Sequence, residues 1–396
     1  MEEKRRRNGD GAPAAAASER TLEIDGREIG DHTDCYVIAE IGHNHQGSLK
    51  QAIELFEKAA DCGVDAVKLQ KRDNRSLYTT EYYNRPYDHE NSFGATYGEH
   101  REVLELGRHE YLELQQVAGD LGITMLATAF DVPSAEFLAE LDVPAIKIAS
   151  ADLRNTPLLR RVAELGKPMI ISTGAARLED VHMAHEAVAP INSEFAFLQC
   201  TAVYPPTWEE LDLRVIETYR REFPNTVIGF SGHDSGIAMA TAAYVLGARI
   251  VEKHFTLNRA MKGTDHAFSL EPHGLRSLVR DLRRTRVALG DGSKRMYQSE
   301  TEPAKKMGKK LVAARDLPAG HVLTEEDIAA KSPGDGLPPC ELDRLVGRRL
   351  GYPVTEELPL TFDLLEDPAV GGPGPLARSG EIDSSPVAAA AGDDES

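Results

Sequence analysis

The sequence predicts an α/β protein, a (β/α)8 TIM barrel followed by a small β-rich domain. Three observations carry this. Short β-branched apolar runs alternate with longer segments of helical period. The runs number eight within roughly 255 residues, the count and length of such a barrel. Beyond residue 309 the pattern changes to short apolar pieces broken by Pro and Gly. An open doubly wound sheet uses the same alternation, but no GxGxxG follows the first run, as a dinucleotide fold of that kind would have.

The strand candidates are 36–41 (YVIAEI), 66–70 (AVKLQ), 124–130 (TMLATAF), 145–150 (AIKIAS), 169–173 (MIIST), 195–200 (FAFLQC), 227–231 (VIGFS) and 250–255 (IVEKHF). Helical period fills 49–61, 110–121, 157–165, 178–188, 211–221, 237–246 and 274–289. Gly63, Gly122, Gly166 and Gly247 stand just before the next strand, where glycine stops a helix. The connection from Lys71 to about Arg108 has no clear period, and a connection of that length points to function. The organisation expected is a disordered tail at 1–20, the barrel at 21–290, a polar linker at 291–309, the small domain at 310–368 with a short helix near Pro339, and a disordered acidic tail at 369–396.

The net charge of −19 gives the chain no overall attraction to nucleic acid or to an anionic membrane. An anionic substrate must therefore be held by local cations. Cys35, Cys62, Cys200 and Cys340 show no CxxC spacing, so neither a disulfide framework nor a zinc knuckle is expected. No apolar run reaches the roughly 18 residues of a membrane span, and the first twenty residues lack a secretory apolar core. The expected location is the cytoplasm.

Active sites of this barrel class lie at the C-terminal strand ends. The polar residues there are Glu40, Lys68, Gln70, Thr128, Lys147, Ser150, Asp152, Ser172, Tyr204, Ser231, His233, His254 and Asp265. Lysine is seldom buried in a strand unless paired. Lys68 and Lys147 together point to a shared anion site, with Thr128, Ser150 and Ser231 as hydroxyl partners. Two unrelated salt bridges and ordinary capping hydroxyls are the plainer alternative. Glu40, inside an apolar run, needs a partner or a role. His233 and His254 follow adjacent strands and form a candidate divalent-metal pair, although a lone strand histidine is more often a satisfied core residue.

IAEIGHNHQGS, AVKLQK, AIKIASADLRN, LQCTAVYP, GFSGHDSGIA, VEKHFTL and KGTDHAFSLEP resemble the motifs of the sialic acid synthases. LVAARDLPAGHVLTEEDI resembles their C-terminal SAF, or antifreeze-like, module with its β-clip fold. The resemblance spans about residues 36–365. It implies metal-dependent condensation of phosphoenolpyruvate with N-acetylmannosamine to give N-acetylneuraminate and phosphate, or the same reaction on N-acetylmannosamine 6-phosphate, or on another aldose leading to a legionaminate- or pseudaminate-type product. The free sugar is the nominal reading.

By the same resemblance Lys68, Thr128, Lys147, Ser150 and Ser231 bind phosphoenolpyruvate. His233 and His254 hold the metal, typically Mn2+ with Mg2+ or Co2+ as substitutes. Gln70, Tyr204 and Asp265 contact the amino sugar, and Glu40 lies beside the reacting carbons. A domain-swapped homodimer is also implied. The chain departs from the free-sugar branch at Asp152, Ala202 and Ser332, where that branch carries Glu, Asn and Arg. The stretch from Arg85 resembles instead the animal enzymes that use the 6-phosphate, and the connection before it supplies Lys71, Arg72, Arg75 and Arg85 as candidate phosphate partners. A non-enzymatic scaffold built around the SAF module is the alternative of a different class; it has no use for a lysine pair.

Overall fold

The computed structural model describes residues 20–366, so the two expected tails, Arg20 apart, lie outside the described residues. Contacts divide the chain after Asp291 into two units. The first opens with a hairpin, β1 (Thr21–Ile24) and β2 (Arg27–Gly30). Its turn is Asp25–Gly26, both at positive φ, the geometry that Asp-Gly favours between twisted antiparallel strands. Eight parallel strands follow: β3 (Tyr36–Gly42), β4 (Ala66–Lys71), β5 (Thr124–Ala129), β6 (Ile146–Ile148), β7 (Met169–Ser172), β8 (Phe195–Cys200), β9 (Val227–Gly232) and β10 (Ile250–His254). They pair in chain order, and β10 closes on β3, which settles the barrel against the open sheet.

Helices join the strands, and Gly63, Gly122, Gly166 and Gly247 all take the positive φ expected of helix stops. A helix at Val132–Glu140, with Asp131 as its N-cap, completes the alternation where the periodicity had marked none. The fourth expected strand, observed as β6, is shorter than its sequence run, because Ser150 already starts a 3-10 turn, Ser150–Asp152. The long connection after β4 carries three short helices, Asn74–Leu77, Thr80–Tyr83 and Tyr97–Leu104. Among the described residues no helix is long and apolar enough to cross a membrane.

Strand alternation sorts the side chains. One parity (Val37, Val67, Met125, Ile171, Ile228 and Val251 among it) packs outward against the helices. The other points inward and changes character along the barrel axis. At the N-terminal end it is apolar: Tyr36, Ile38, Ala66, Leu126, Ile170, Leu198 and Ile250. Leu22, Ile24 and Ile29 of the hairpin join that layer, so β1 and β2 plug the barrel floor. Asp31 braces the plug through ion pairs with Arg20 and Arg220 at 3.0 and 2.7 Å. One step up, the same parity becomes polar: Glu40, Lys68, Thr128, Lys147, Ser172, Ser231 and Glu252, all buried.

The second unit holds an antiparallel pair, β11 (Lys310–Ala313) and β12 (Ile328–Lys331), and a short helix at Leu342–Leu345 beside the expected position. Its core is Leu311, Leu317, Leu323, Leu345, Leu350, Val354 and Leu360. The stretch expected as a plain linker contains a helix, Thr301–Met307. A buried carboxylate organises the small core. Asp327 accepts from Arg315 at 2.6 Å, from His321 at 2.8 Å and from both the amide and the hydroxyl of Thr324. Burial alone would raise its pKa, and these donors, His321 first, overcome that and hold it well below the usual carboxylate range.

Two stability changes are expected. Ile24→Ala empties part of the barrel floor and should cost ~2–5 kcal/mol in urea unfolding followed by tryptophan fluorescence. Asp327→Asn strands buried donors of the small domain and should cost ~1–3 kcal/mol. Because the Asp327 pKa is depressed on folding, its contribution is complete above the unfolded carboxylate pKa and fades as pH falls toward the folded value. Acid titration of wild type and Asp327→Asn should therefore converge at low pH.

Candidate active site

The polar layer opens into a cavity of about 690 Å3 at the C-terminal end of the barrel. Its floor is a set of four charges. The Lys68 ammonium stands 2.6 Å from Glu40 Oε2 and 3.7 Å from Glu252 Oε1, and it donates to Thr128 Oγ1 at 2.8 Å. Lys147 donates to Ser172 Oγ at 2.5 Å and to the Ile148 carbonyl at 2.9 Å. Ser231 Oγ donates to Glu252 Oε1 at 3.2 Å. Ser150 Oγ accepts from the Gly174 amide at 2.9 Å on the same rim. Two lysines and two glutamates make up the ionisable part of this layer. Lys147 has no carboxylate within ion-pair distance, and burial depresses its pKa. Burial likewise opposes the charge on Lys68, but Glu252 and Glu40 outweigh it and raise its pKa.

Glu40 is aimed by the backbone. A bulge interrupts the β3–β4 register between Glu40 and Gly42. Gly42 has φ 53, and a Cβ there would come within 3.1 Å of Glu40 Oε1 and 3.2 Å of Gln70 Nε2. Gln70 Nε2 donates to Glu40 Oε1 at 2.6 Å. Burial raises the Glu40 pKa to about 7, with Glu252 adding to the rise and Lys68 opposing it.

His233 and His254 face each other across the β9 and β10 ends, ring centroids 5.4 Å apart. His233 Nδ1 lies 2.8 Å from the Thr201 carbonyl, which makes Nδ1 the protonated nitrogen and leaves Nε2 as a lone-pair donor. His254 Nδ1 is buried without a hydrogen-bond partner. Burial drives the His233 pKa down to about 3 and the His254 pKa to about 4, so both rings are uncharged at pH 7. The Tyr204 ring lies tilted 4.0 Å from His233, and Phe268 lies 4.9 Å from His254, so aromatic rings flank the pair. The donor set fits a divalent cation such as Mn2+ with open positions. Among the described residues no group of three His, Cys, Asp or Glu side chains adds a further ligand.

The cavity gathers twelve of the thirteen residues picked from the sequence: Glu40, Lys68, Gln70, Thr128, Lys147, Ser150, Ser172, Tyr204, Ser231, His233, His254 and Asp265. Asp152 is not in its lining. Its side chain sits in the 3-10 turn and accepts from Asn155 at 3.3 Å. Of the four loop cations only Arg72 reaches the wall. Lys71 pairs with Glu105 at 2.9 Å, Arg75 covers the Tyr83 ring, and Arg85 borders a separate hollow.

Among the wall residues that the sequence did not single out are Glu252, His43 and Arg101. Glu252 shares the inward parity of His254, a signal that strand alternation carries. Arg101 rides the helix Tyr97–Leu104, whose start the Thr96/Glu99 capping box marks in the sequence. His43 Nε2 lies 2.8 Å from Arg72 Nη1, and its Nδ1 lies 3.2 Å from Arg101 Nη1. A neutral imidazole accepts at one nitrogen only. One arginine is therefore left facing an N–H, and the longer contact assigns that mismatch to Arg101. Arg72 also donates to Gln70 Oε1 and covers the Phe130 ring at 3.6 Å, and Arg101 donates to Tyr97 Oη. No carboxylate is among the hydrogen-bond partners of either guanidinium.

Comparison with known proteins places this arrangement. Residues 55–294 match the NeuB family, and residues 310–366 match the SAF domain. The chain is 40% identical over 343 residues to the N-acetylneuraminate-9-phosphate synthase of Homo sapiens, covering 86% of this chain and 96% of that one. It is 33% identical over 343 residues to the N,N'-diacetyllegionaminic acid synthase of Legionella pneumophila, covering 85% and 96%. The crystal structure of the N-acetylneuraminic acid synthetase of Leptospira borgpetersenii in complex with citrate superposes with a TM-score of 0.63 at 31% identity, over 72% of this chain and 95% of that one. With the barrel, the strand-end motifs and the C-terminal module all matched, this chain belongs to the NeuB family of sialic acid synthases and carries a SAF domain.

Proposed function

We propose that this chain is a cytoplasmic, divalent-metal-dependent synthase that condenses phosphoenolpyruvate with an N-acylmannosamine to give a sialic acid and inorganic phosphate. The observation that carries the reading is the buried Lys68–Lys147 layer with its ring of hydroxyls, Thr128, Ser150, Ser172 and Ser231. Phosphoenolpyruvate carries a phosphate and a carboxylate, and two ammonium groups among short donors are what holds both. The family resemblance supports a domain-swapped homodimer as the working form.

In this reading the enol carbon C3 attacks the aldehyde carbon of the open-chain sugar. The bond pair of the double bond forms the new C–C bond and leaves a cationic C2. The aldehyde oxygen takes a proton and becomes a hydroxyl. Water adds at C2 and gives up a proton. The tetrahedral carbon then expels phosphate with the bridging oxygen, the C2 hydroxyl proton passing to the departing phosphate, and the keto acid remains. Lys68 and Lys147 fix the two anionic ends. Glu40 is tied to Lys68 and Gln70, and the role given to its carboxylate here is to balance the cation at C2 or to orient the water. A divalent cation such as Mn2+ held by His233 and His254 would polarise the aldehyde oxygen when bound. Tyr204 and Asp265 border the volume left for the amino sugar.

The wall favours the phosphorylated aldose over the free sugar. Arg72 and Arg101 bring two guanidinium groups, neither with a carboxylate among its hydrogen-bond partners, to a cavity of an acidic protein. A 6-phosphate dianion would neutralise both and relieve the donor mismatch at His43. The identity to the human 9-phosphate synthase points the same way.

The test is phosphate release from phosphoenolpyruvate with N-acetylmannosamine, its 6-phosphate and a diacetylated bacillosamine-derived aldose, each with chelator or with Mn2+. Turnover is expected only with metal, and kcat/KM should be highest for the 6-phosphate. Arg101→Ala should lower that value at least ~10-fold, the size of one lost charge-assisted contact, and leave the slower free-sugar reaction unchanged. Equal turnover of free and phosphorylated sugar by wild type contradicts the phosphate reading. No turnover of any of the three contradicts the proposal as a whole.

A further inference from the structure

A second buried ion pair lies behind the wall of the cavity, on the outward side of the barrel. Lys253 Nζ donates to the Asp234 carbonyl oxygen at 2.5 Å and to Asp234 Oδ1 at 2.8 Å, and both side chains are 1% exposed. Its neighbours of the same strand parity, Val251 on β10 and Ile228 and Phe230 on β9, are apolar core. An ammonium and a carboxylate are therefore buried where the rest of the layer is hydrocarbon. Such a pair seldom improves stability over well-packed apolar residues of the same volume, because desolvation offsets the attraction. Asp234 Oδ2 has no partner at all. Stability does not account for the pair.

Its place in the chain does. Asp234 follows His233, and Lys253 precedes His254. The β9–β10 ladder runs Val251↔Phe230, Glu252↔Ser231, Lys253↔Gly232 and then stops. Past Gly232 no strand pairing holds the segment that turns His233 inward, and the Lys253 ammonium takes over by gripping both the carbonyl and the carboxylate of the next residue but one. Gly232 makes the grip possible. A Cβ there would lie 2.7 Å from Asp234 Oδ1 and 2.5 Å from the Phe230 ring.

We propose that Lys253 and Asp234 are positioning residues that lock the two histidine-bearing segments together, so that His233 and His254 present a preformed two-imidazole site for a divalent cation. The inference rests on the reading that these histidines take such a cation. Supporting groups around metal ligands matter in this way because a loosely held ligand must be ordered each time the ion binds, and their loss typically weakens binding roughly 10–100-fold.

Calorimetric titration of the full-length protein with Mn2+ tests it, with thermal midpoint and phosphoenolpyruvate affinity measured on the same samples. The variant is the double replacement Lys253→Met with Asp234→Leu, which removes both charges and keeps the branched shape of Asp and most of the length of Lys. The expected result is a thermal midpoint near that of wild type, an unchanged phosphoenolpyruvate Kd and a Mn2+ Kd raised at least ~10-fold. A folded double variant that binds Mn2+ as wild type does overturns the proposal. So does a loss of Mn2+ and phosphoenolpyruvate affinity in equal proportion, which marks a merely structural pair. If the double variant does not fold, Gly232→Ala decides, since its Cβ displaces the Asp234 carboxylate. A raised Mn2+ Kd at near-normal thermal midpoint supports the lock, and an unchanged Kd, or failure of this variant to fold as well, overturns it. Wild-type protein that binds none of Mn2+, Mg2+ or Co2+ refutes the metal reading itself, a result distinct from any of these.

Discussion

The ion pair between Lys68 and Glu40, 2.6 Å long and almost completely buried, is the constraint on which the open end of the barrel depends. Neither charge is tolerable there alone. Together with Lys147 and Glu252 they turn one inward layer into a polar floor, while the layer beneath it, sealed by the hairpin, stays apolar. The floor is rigid because every member is held from a different strand: Glu40 from β3, Lys68 from β4, Lys147 from β6 and Glu252 from β10. Barrel closure is thus what brings the site together, and the β10–β3 pairing places Glu252 and His254 beside Glu40.

The cavity divides into a lysine floor, an imidazole side and an arginine wall. The floor carries the buried ammonium groups of Lys68 and Lys147. The imidazole side is kept neutral by burial and walled by Tyr204 and Phe268. The arginine wall comes from the long connection after β4, the segment with the least regular sequence. Its cations are sorted by their partners: Lys71 is spent on Glu105, Arg75 lies on Tyr83, and Arg72 and Arg101 are left for the cavity through His43.

The barrel and most of its strand-end residues were legible because period-two alternation, glycine stops and lysines in apolar runs are local signals. What escaped was non-local or unread. The Asp25–Gly26 hairpin carries a strong turn signal, yet its role as a floor plug exists only in the closed barrel. Glu252 was hidden beside the more conspicuous His254, although the two share a face. Arg101 and His43 are drawn to Arg72 from distant parts of the chain, which no spacing encodes. Asp152 went the other way: proximity to Ser150 suggested a site residue, but the 3-10 turn rotates it toward Asn155.

The claim that two buried lysines form an anion site for phosphoenolpyruvate is tested most directly at Lys147, whose removal leaves no carboxylate without its ion-pair partner. The measurement is the phosphoenolpyruvate Kd of Lys147→Met by calorimetry, at a thermal midpoint close to that of wild type. A lost charge-assisted contact of ~1.5–3 kcal/mol corresponds to a Kd weaker by about 10- to 100-fold. That loss is the result expected; an unchanged Kd would contradict the account and move the anion site elsewhere in the molecule.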